Sequence, residues 1–127
     1  MSVASCGLGG WHVGDGMDHR SARHLAAAGY DPSRHVAKQI QPSWLDGYDV
    51  LLAMDDGHLR DLHAMAGTYA GASDRIRLFG DFDPVHPGVE VPDPYYGGDH
   101  GFQEVLSMVE RTCDQLLSAV TDVLGGA

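Results

Sequence analysis

Asp49-Val50-Leu51-Leu52-Ala53-Met54 is an unbroken apolar run with one acid in front of it and two more, Asp55 and Asp56, behind. A strand covered on one face alternates apolar with polar residues. A strand covered on both faces reads as a short continuous run, so this stretch is predicted to be an inner strand of a parallel sheet. A helix is predicted over residues 57–66, with Asp55 and Asp56 capping its start and Leu59, Leu62 and Ala66 on its inner face. Beyond a polar loop at 67–73, Arg75-Ile76-Arg77-Leu78-Phe79 alternates charged and apolar, as a half-exposed or edge strand does. Strand, helix and strand in that order predict an α/β layer fold, a three-layer sandwich with a parallel sheet and helices on both of its faces.

Upstream of this centre, residues 3–6 are a short strand candidate of small residues. Residues 7–16 carry five glycines and form a loop holding Trp11. Asp18 is the N-cap of a helix reaching Ala28, with Gly29 as its stop. Asp31-Pro32-Ser33 is a turn, residues 34–41 are irregular with Val36 and Ile40 turned inward, and Pro42 opens a short helix through Leu45. Downstream, residues 80–91 are acidic and punctuated by proline. The strongest helical pattern covers 101–124, where Phe102, Val105, Leu106, Val109, Cys113, Leu116, Leu117, Val120 and Leu124 recur at 3,4 spacing. Leu106, Val109, Cys113 and Leu117 are expected against the sheet, with Glu104, Glu110, Arg111 and Asp114 in water.

Composition narrows the function. The chain has 127 residues, 43% of them hydrophobic, which suits one domain with one core. A net charge of −10 argues against nucleic acid or an anionic membrane as partner. No apolar run reaches the roughly 20 residues that span a bilayer. Two cysteines, Cys6 and Cys113, give neither a disulfide framework nor a zinc spacing, and a reducing cytoplasm is the expected compartment. His19 and His24, like His58 and His63, stand five apart and do not share a helical face. No metal or cofactor is expected.

Val91-Pro92-Asp93-Pro94-Tyr95-Tyr96-Gly97-Gly98 carries the chemistry. Each proline lacks an amide hydrogen, fixes its own φ and biases the residue before it away from helix. Asp93 is thereby held on stiff, extended backbone beside two aromatic rings. That arrangement suits a general acid protonating an aromatic leaving group.

Asp93-Pro-Tyr-Tyr-Gly-Gly98, with Gly101-Phe-Gln-Glu-Val105 after it, resembles the general-acid loop of the low-molecular-weight protein-tyrosine phosphatases. Ser5-Cys-Gly-Leu-Gly-Gly-Trp-His-Val-Gly14 is similar to that family's Ser-Ala-Gly-Thr strand end and tryptophan loop. Leu52-Ala-Met-Asp55 and Leu59-Arg-Asp-Leu62 resemble its Leu-x-Met-Asp segment and following helix, with His58 where the family has Asn. The resemblance implies a phosphotyrosine protein substrate, Asp93 as acid and base, Trp11, Tyr95 and Tyr96 as cleft walls, and Asp55 in support. Asp55 and Asp93 both follow strand candidates, and in this fold class such positions face one crevice.

The family's nucleophile loop, Cys-x5-Arg-Ser, does not occur in the sequence: His12 stands at the arginine position for Cys6, and Ala119 for Cys113. Cys6 matches the alanine of Ser-Ala-Gly-Thr and reads as a small buried side chain; Cys113 reads as core. Losing a covalent nucleophile lowers the rate on the order of a million-fold, against a hundred to ten-thousand-fold for a general acid. The expectation is a single phosphatase-like domain over 1–127, N-terminally incomplete, without the family's first strand, nucleophile loop and helix, and inactive as written. The alternatives are a non-catalytic binding or regulatory remnant and, behind it, an arsenate reductase relative, which needs further redox cysteines. A sheet short of an inner strand leaves unpaired edges, so a homodimer or swapped assembly is also expected.

Overall fold

The computed structural model describes residues 3–67, 72–93 and 98–125. The chain divides into two units, residues 1–44 and 45–127.

In the first unit, helix α1 (His19–Ala27) starts where Asp18 accepts the amides of Arg20 and Ser21, at 3.1 and 3.2 Å. Its end is the predicted one, with Gly29 in the left-handed region at φ +94°. Residues 3–6 do not form the expected strand. Their extension pairs only at Gly7, in a parallel bridge to Gln39 (Gly7 N to Lys38 O, 2.8 Å; Ile40 N to Gly7 O, 2.9 Å). Seven residues on, Gly14 N reaches Ala37 O and Ala37 N reaches Asp15 O, at 2.9 and 2.8 Å. The tryptophan loop is thus tied down at both ends, and residues 34–41, expected to be irregular, supply its anchor.

The short helix α2 (Trp44–Gly47) spans the point of division, with Leu45 fully buried. In the second unit β1 (Leu51–Ala53) lies parallel to β2 (Ile76–Leu78), with Leu51 opposite Ile76 and Ala53 opposite Leu78. Helix α3 (Asp56–Ala66) crosses between them and packs on both, burying Leu62 and Ala66 as its spacing predicted. Ile76 and Leu78 point inward and Arg77 outward, which is the alternation read from the sequence. The predicted loop at 67–73 lies largely outside the described residues.

After β2 the chain makes a 3-10 turn (Phe79–Phe82) that packs against the long helix α4 (Gly98–Gly125). A side chain at Gly80 would land on the carbonyl of Val89, so only glycine allows the two strands of this loop to approach. Asp83 closes the turn with no side-chain exposure. Its Oδ1 accepts the amides of Val85 (2.8 Å) and His86 (3.3 Å) and Nε of Arg111 (2.9 Å); its Oδ2 accepts Nη2 of Arg111 (2.8 Å). The Arg111 bonds hold the Asp83 carboxyl far below the ordinary aspartate range, against the opposing pull of burial and with help from the two amides.

This pair corrects the expected face of α4. Arg111 is only partly exposed and turned toward Asp83, while Phe102, Met108 and Thr112 are the buried residues of this helix among those described. Leu106 and Val109 are half-buried, and Cys113 and Leu117 are exposed. The apolar stripe is broad, and the fork of bonds to Asp83 selects which edge of it faces inward. Glu104, Glu110 and Asp114 are exposed as expected.

Phe102→Ala is expected to destabilise the protein by about 3–5 kcal/mol in urea denaturation, and Leu117→Ala by no more than about 0.5 kcal/mol. Equal losses would mean the helix face is wrongly placed. Arg111→Met should lower Tm by on the order of 10 °C at neutral pH. Because the folded-state pKa of Asp83 is depressed, the stabilisation is complete above the unfolded value of about 4 and is lost as pH falls toward the folded one. The Tm gap between wild type and Arg111→Met should therefore be constant above about pH 5 and shrink below about pH 4.

Candidate active site

Asp93 and Asp55 line one concavity of about 490 Å³ in the second unit, at the C-terminal end of β1. Asp55 reaches it because it lies two residues past β1 and caps α3, its Oδ1 accepting the amide of His58 at 2.8 Å. The ring Nδ1 of His58 stands 3.6 Å from the same oxygen. Asp93 reaches it because the loop before it is fastened to both of these elements. Val91 N donates to Met54 O at 2.8 Å, just past β1, and the amide of Asp56 donates to Glu90 Oε1 at 2.9 Å.

The concavity is acidic. Asp55, Glu90, Asp93 and Glu104 line it, and the one guanidinium on its wall, Arg111, is engaged by Asp83. Such a site can give and take protons but has little to hold a phosphoryl dianion. Among the described residues no group of three His, Cys, Asp or Glu side chains is set to hold a metal.

The first unit carries Trp11, 87% exposed at the tip of its doubly anchored loop, with its ring laid over Gly9. Tyr95 and Tyr96 lie outside the described residues. Both cysteines are exposed, which corrects the expectation of a buried Cys6 and a core Cys113. Partial shielding from water pushes the Cys6 thiol up, and shielding with the charge of Asp114 pushes up that of Cys113. A phosphatase nucleophile needs the opposite shift.

Glu90 and Arg111 line the concavity and Asp83 holds Arg111, contacts that the sequence reading does not reach. Asp83-Pro84 at a chain reversal is a readable turn signal, since Asp accepts amides two and three residues on. Its partner 28 residues later, and that of Glu90 34 residues earlier, leave no trace in local spacing.

Residues 1–123 match the sequence pattern of the family described as low molecular weight phosphotyrosine protein phosphatase. A low molecular weight protein-tyrosine-phosphatase of Streptomyces coelicolor is 45% identical over 99% of this chain and 77% of its own length. The crystal structure of YfkJ from Bacillus subtilis superposes with a TM-score of 0.83 at 31% identity, over 94% of this chain and 72% of that one. A protein tyrosine phosphatase from Entamoeba histolytica, solved with Hepes in its active site, gives a TM-score of 0.83 at 26% identity, over 96% and 75%. These structures share the α/β sandwich built on a parallel sheet. By sequence and by fold, the chain belongs to the low molecular weight phosphotyrosine protein phosphatase family.

Proposed function

We propose that residues 1–127 act as one phosphatase domain and carry the general-acid half of phosphotyrosine hydrolysis, with Asp93 as the proton donor. In the first step a cysteine thiolate attacks phosphorus, the bond from phosphorus to the aryl oxygen breaks, and Asp93 gives that oxygen its proton. In the second step the Asp93 carboxylate takes a proton from water as the water displaces the cysteine. Asp55 supports the site by fixing the start of α3, and Trp11, Tyr95 and Tyr96 wall the cleft in which the aromatic ring sits. The observation that carries this reading is the meeting of Asp93 and Asp55 in one concavity at the strand end, on a loop that proline makes stiff. The substrate is a phosphotyrosine protein. Self-association, as a homodimer or swapped assembly, and a cytoplasmic location belong to the same reading.

The attacking thiolate and the arginine that holds the phosphoryl oxygens require a Cys-x5-Arg-Ser loop, a motif these 127 residues do not contain. The same observation favours a second reading, in which the fold binds a partner without catalysing. The two readings part on one experiment. The 127-residue chain alone should not hydrolyse 4-nitrophenyl phosphate above background. The chain joined to a strand, Cys-x5-Arg-Ser loop and helix of the family's type should do so, and a joined, folded chain that stays inactive would favour the binding reading. In the active chain Asp93→Asn should slow phenyl phosphate cleavage by roughly a hundred to ten-thousand-fold. The loss should be smaller for 4-nitrophenyl phosphate, whose leaving group needs less proton donation. Activity of the 127-residue chain that survived both Asp93→Asn and thiol alkylation would overturn the proposal.

A further inference from the structure

The loop that carries Asp93 is poor in backbone donors. Pro92 and Pro94 have no amide hydrogen, so between residues 91 and 94 only Val91 and Asp93 can donate from the backbone. Val91 uses its amide on Met54 O. One residue earlier, the Glu90 carboxylate accepts the amide of Asp56, the first residue of α3. That amide is one of the donors a helix leaves unpaired at its start, where negative charge is also favoured. Asp55 takes the His58 amide of the same turn, so one helix end is shared by its own cap and by a side chain from the loop.

These two anchors sit next to each other, and proline follows them directly. Pro92 locks its φ and restricts Val91, so the orientation given to the chain at 90–91 is transmitted to Asp93 with little freedom to change it. Glu90, Val91 and Asp93 all border the same concavity. Upstream, the loop is fixed independently by Gly88 N on Gly80 O (2.9 Å) and by Asp83 on Arg111. The last side-chain tether before Asp93 is therefore that of Glu90.

We propose that Glu90 is a positioning residue for Asp93, acting through its hydrogen bond to the Asp56 amide and the adjoining bond from Val91 to Met54. This rests on the reading of Asp93 as general acid. It makes Glu90 an acceptor whose job a Gln can do and an Ala cannot.

The test has two arms. In the 127-residue chain, amide hydrogen exchange followed by NMR should show Asp56 and Val91 exchanging about tenfold faster in Glu90→Ala and near the wild-type rate in Glu90→Gln, with Ile76 and Leu78 unchanged. Faster exchange at Asp56 alone would make Glu90 a helix cap and overturn the proposal. In the chain joined to that Cys-x5-Arg-Ser unit, Glu90→Ala should lower kcat for phenyl phosphate about tenfold, as a small misplacement of the acid would. The loss should be less for 4-nitrophenyl phosphate, and Glu90→Gln should restore the rate. If Asp93→Asn slows phenyl phosphate and Glu90→Ala does not, the positioning role fails while the general acid stands. If Asp93→Asn changes neither substrate, the general-acid reading itself fails and this inference falls with it.

Discussion

Asp83 has no exposed side-chain surface, and a carboxylate withdrawn from water must be met by donors or be driven out of its charged form. Here it is met from two directions. Two amides of its own turn close on one oxygen, and the Arg111 guanidinium takes both oxygens in a fork. Those contacts join the end of β2, the start of the loop toward Asp93 and the middle of α4. The long helix is turned with Arg111 toward Asp83, and it buries Met108 and Thr112 while Cys113 and Leu117 stay exposed.

From that junction the chain runs to the site through a series of constraints with little slack. Gly80 lets Val89 lie against the turn, Gly88 bonds back to Gly80, Val91 fastens to the end of β1, and Glu90 to the start of α3. The order matters for function. A general acid works only if its proton is held where the leaving oxygen will be, and a carboxylate on a free loop would spend most of its time elsewhere. Here the loop before Asp93 is held by short-range bonds to a strand end and a helix end, with Pro92 restricting the backbone just beyond them, which is the kind of placement the proposed role of Asp93 requires.

What the sequence made legible was local. Asp18 and Gly29 bracket α1, Asp55 caps α3, and the run at 50–54 holds the strand β1, because each signal acts within a few residues of its effect; among the described residues β1 pairs with β2 alone and only Ala53 of it is buried, so the inner position read for it is not seen. The Asp93-Pro-Tyr-Tyr motif and the apolar run pointed to the family and to the concavity shared by Asp55 and Asp93. The facing of α4 was not legible, since nine apolar positions leave its rotation open until Arg111 finds a partner 28 residues away. Nor was the fate of residues 3–6, because a strand exists only where another segment pairs with it, and pairing begins at Gly7. Glu90 read as one more acid in an acidic stretch, and only its contact with Asp56 sets it apart.

The central claim is that Asp83 and Arg111 act as a unit to hold the second half of the chain in this arrangement. A double-mutant cycle of Asp83→Ala and Arg111→Ala, read by urea denaturation at neutral pH, tests it most directly. Each single variant leaves a charged partner unmatched, so the account predicts a double variant that loses far less stability than the two singles together. Losses that simply add would contradict it, and would mean that the two side chains only happen to stand side by side.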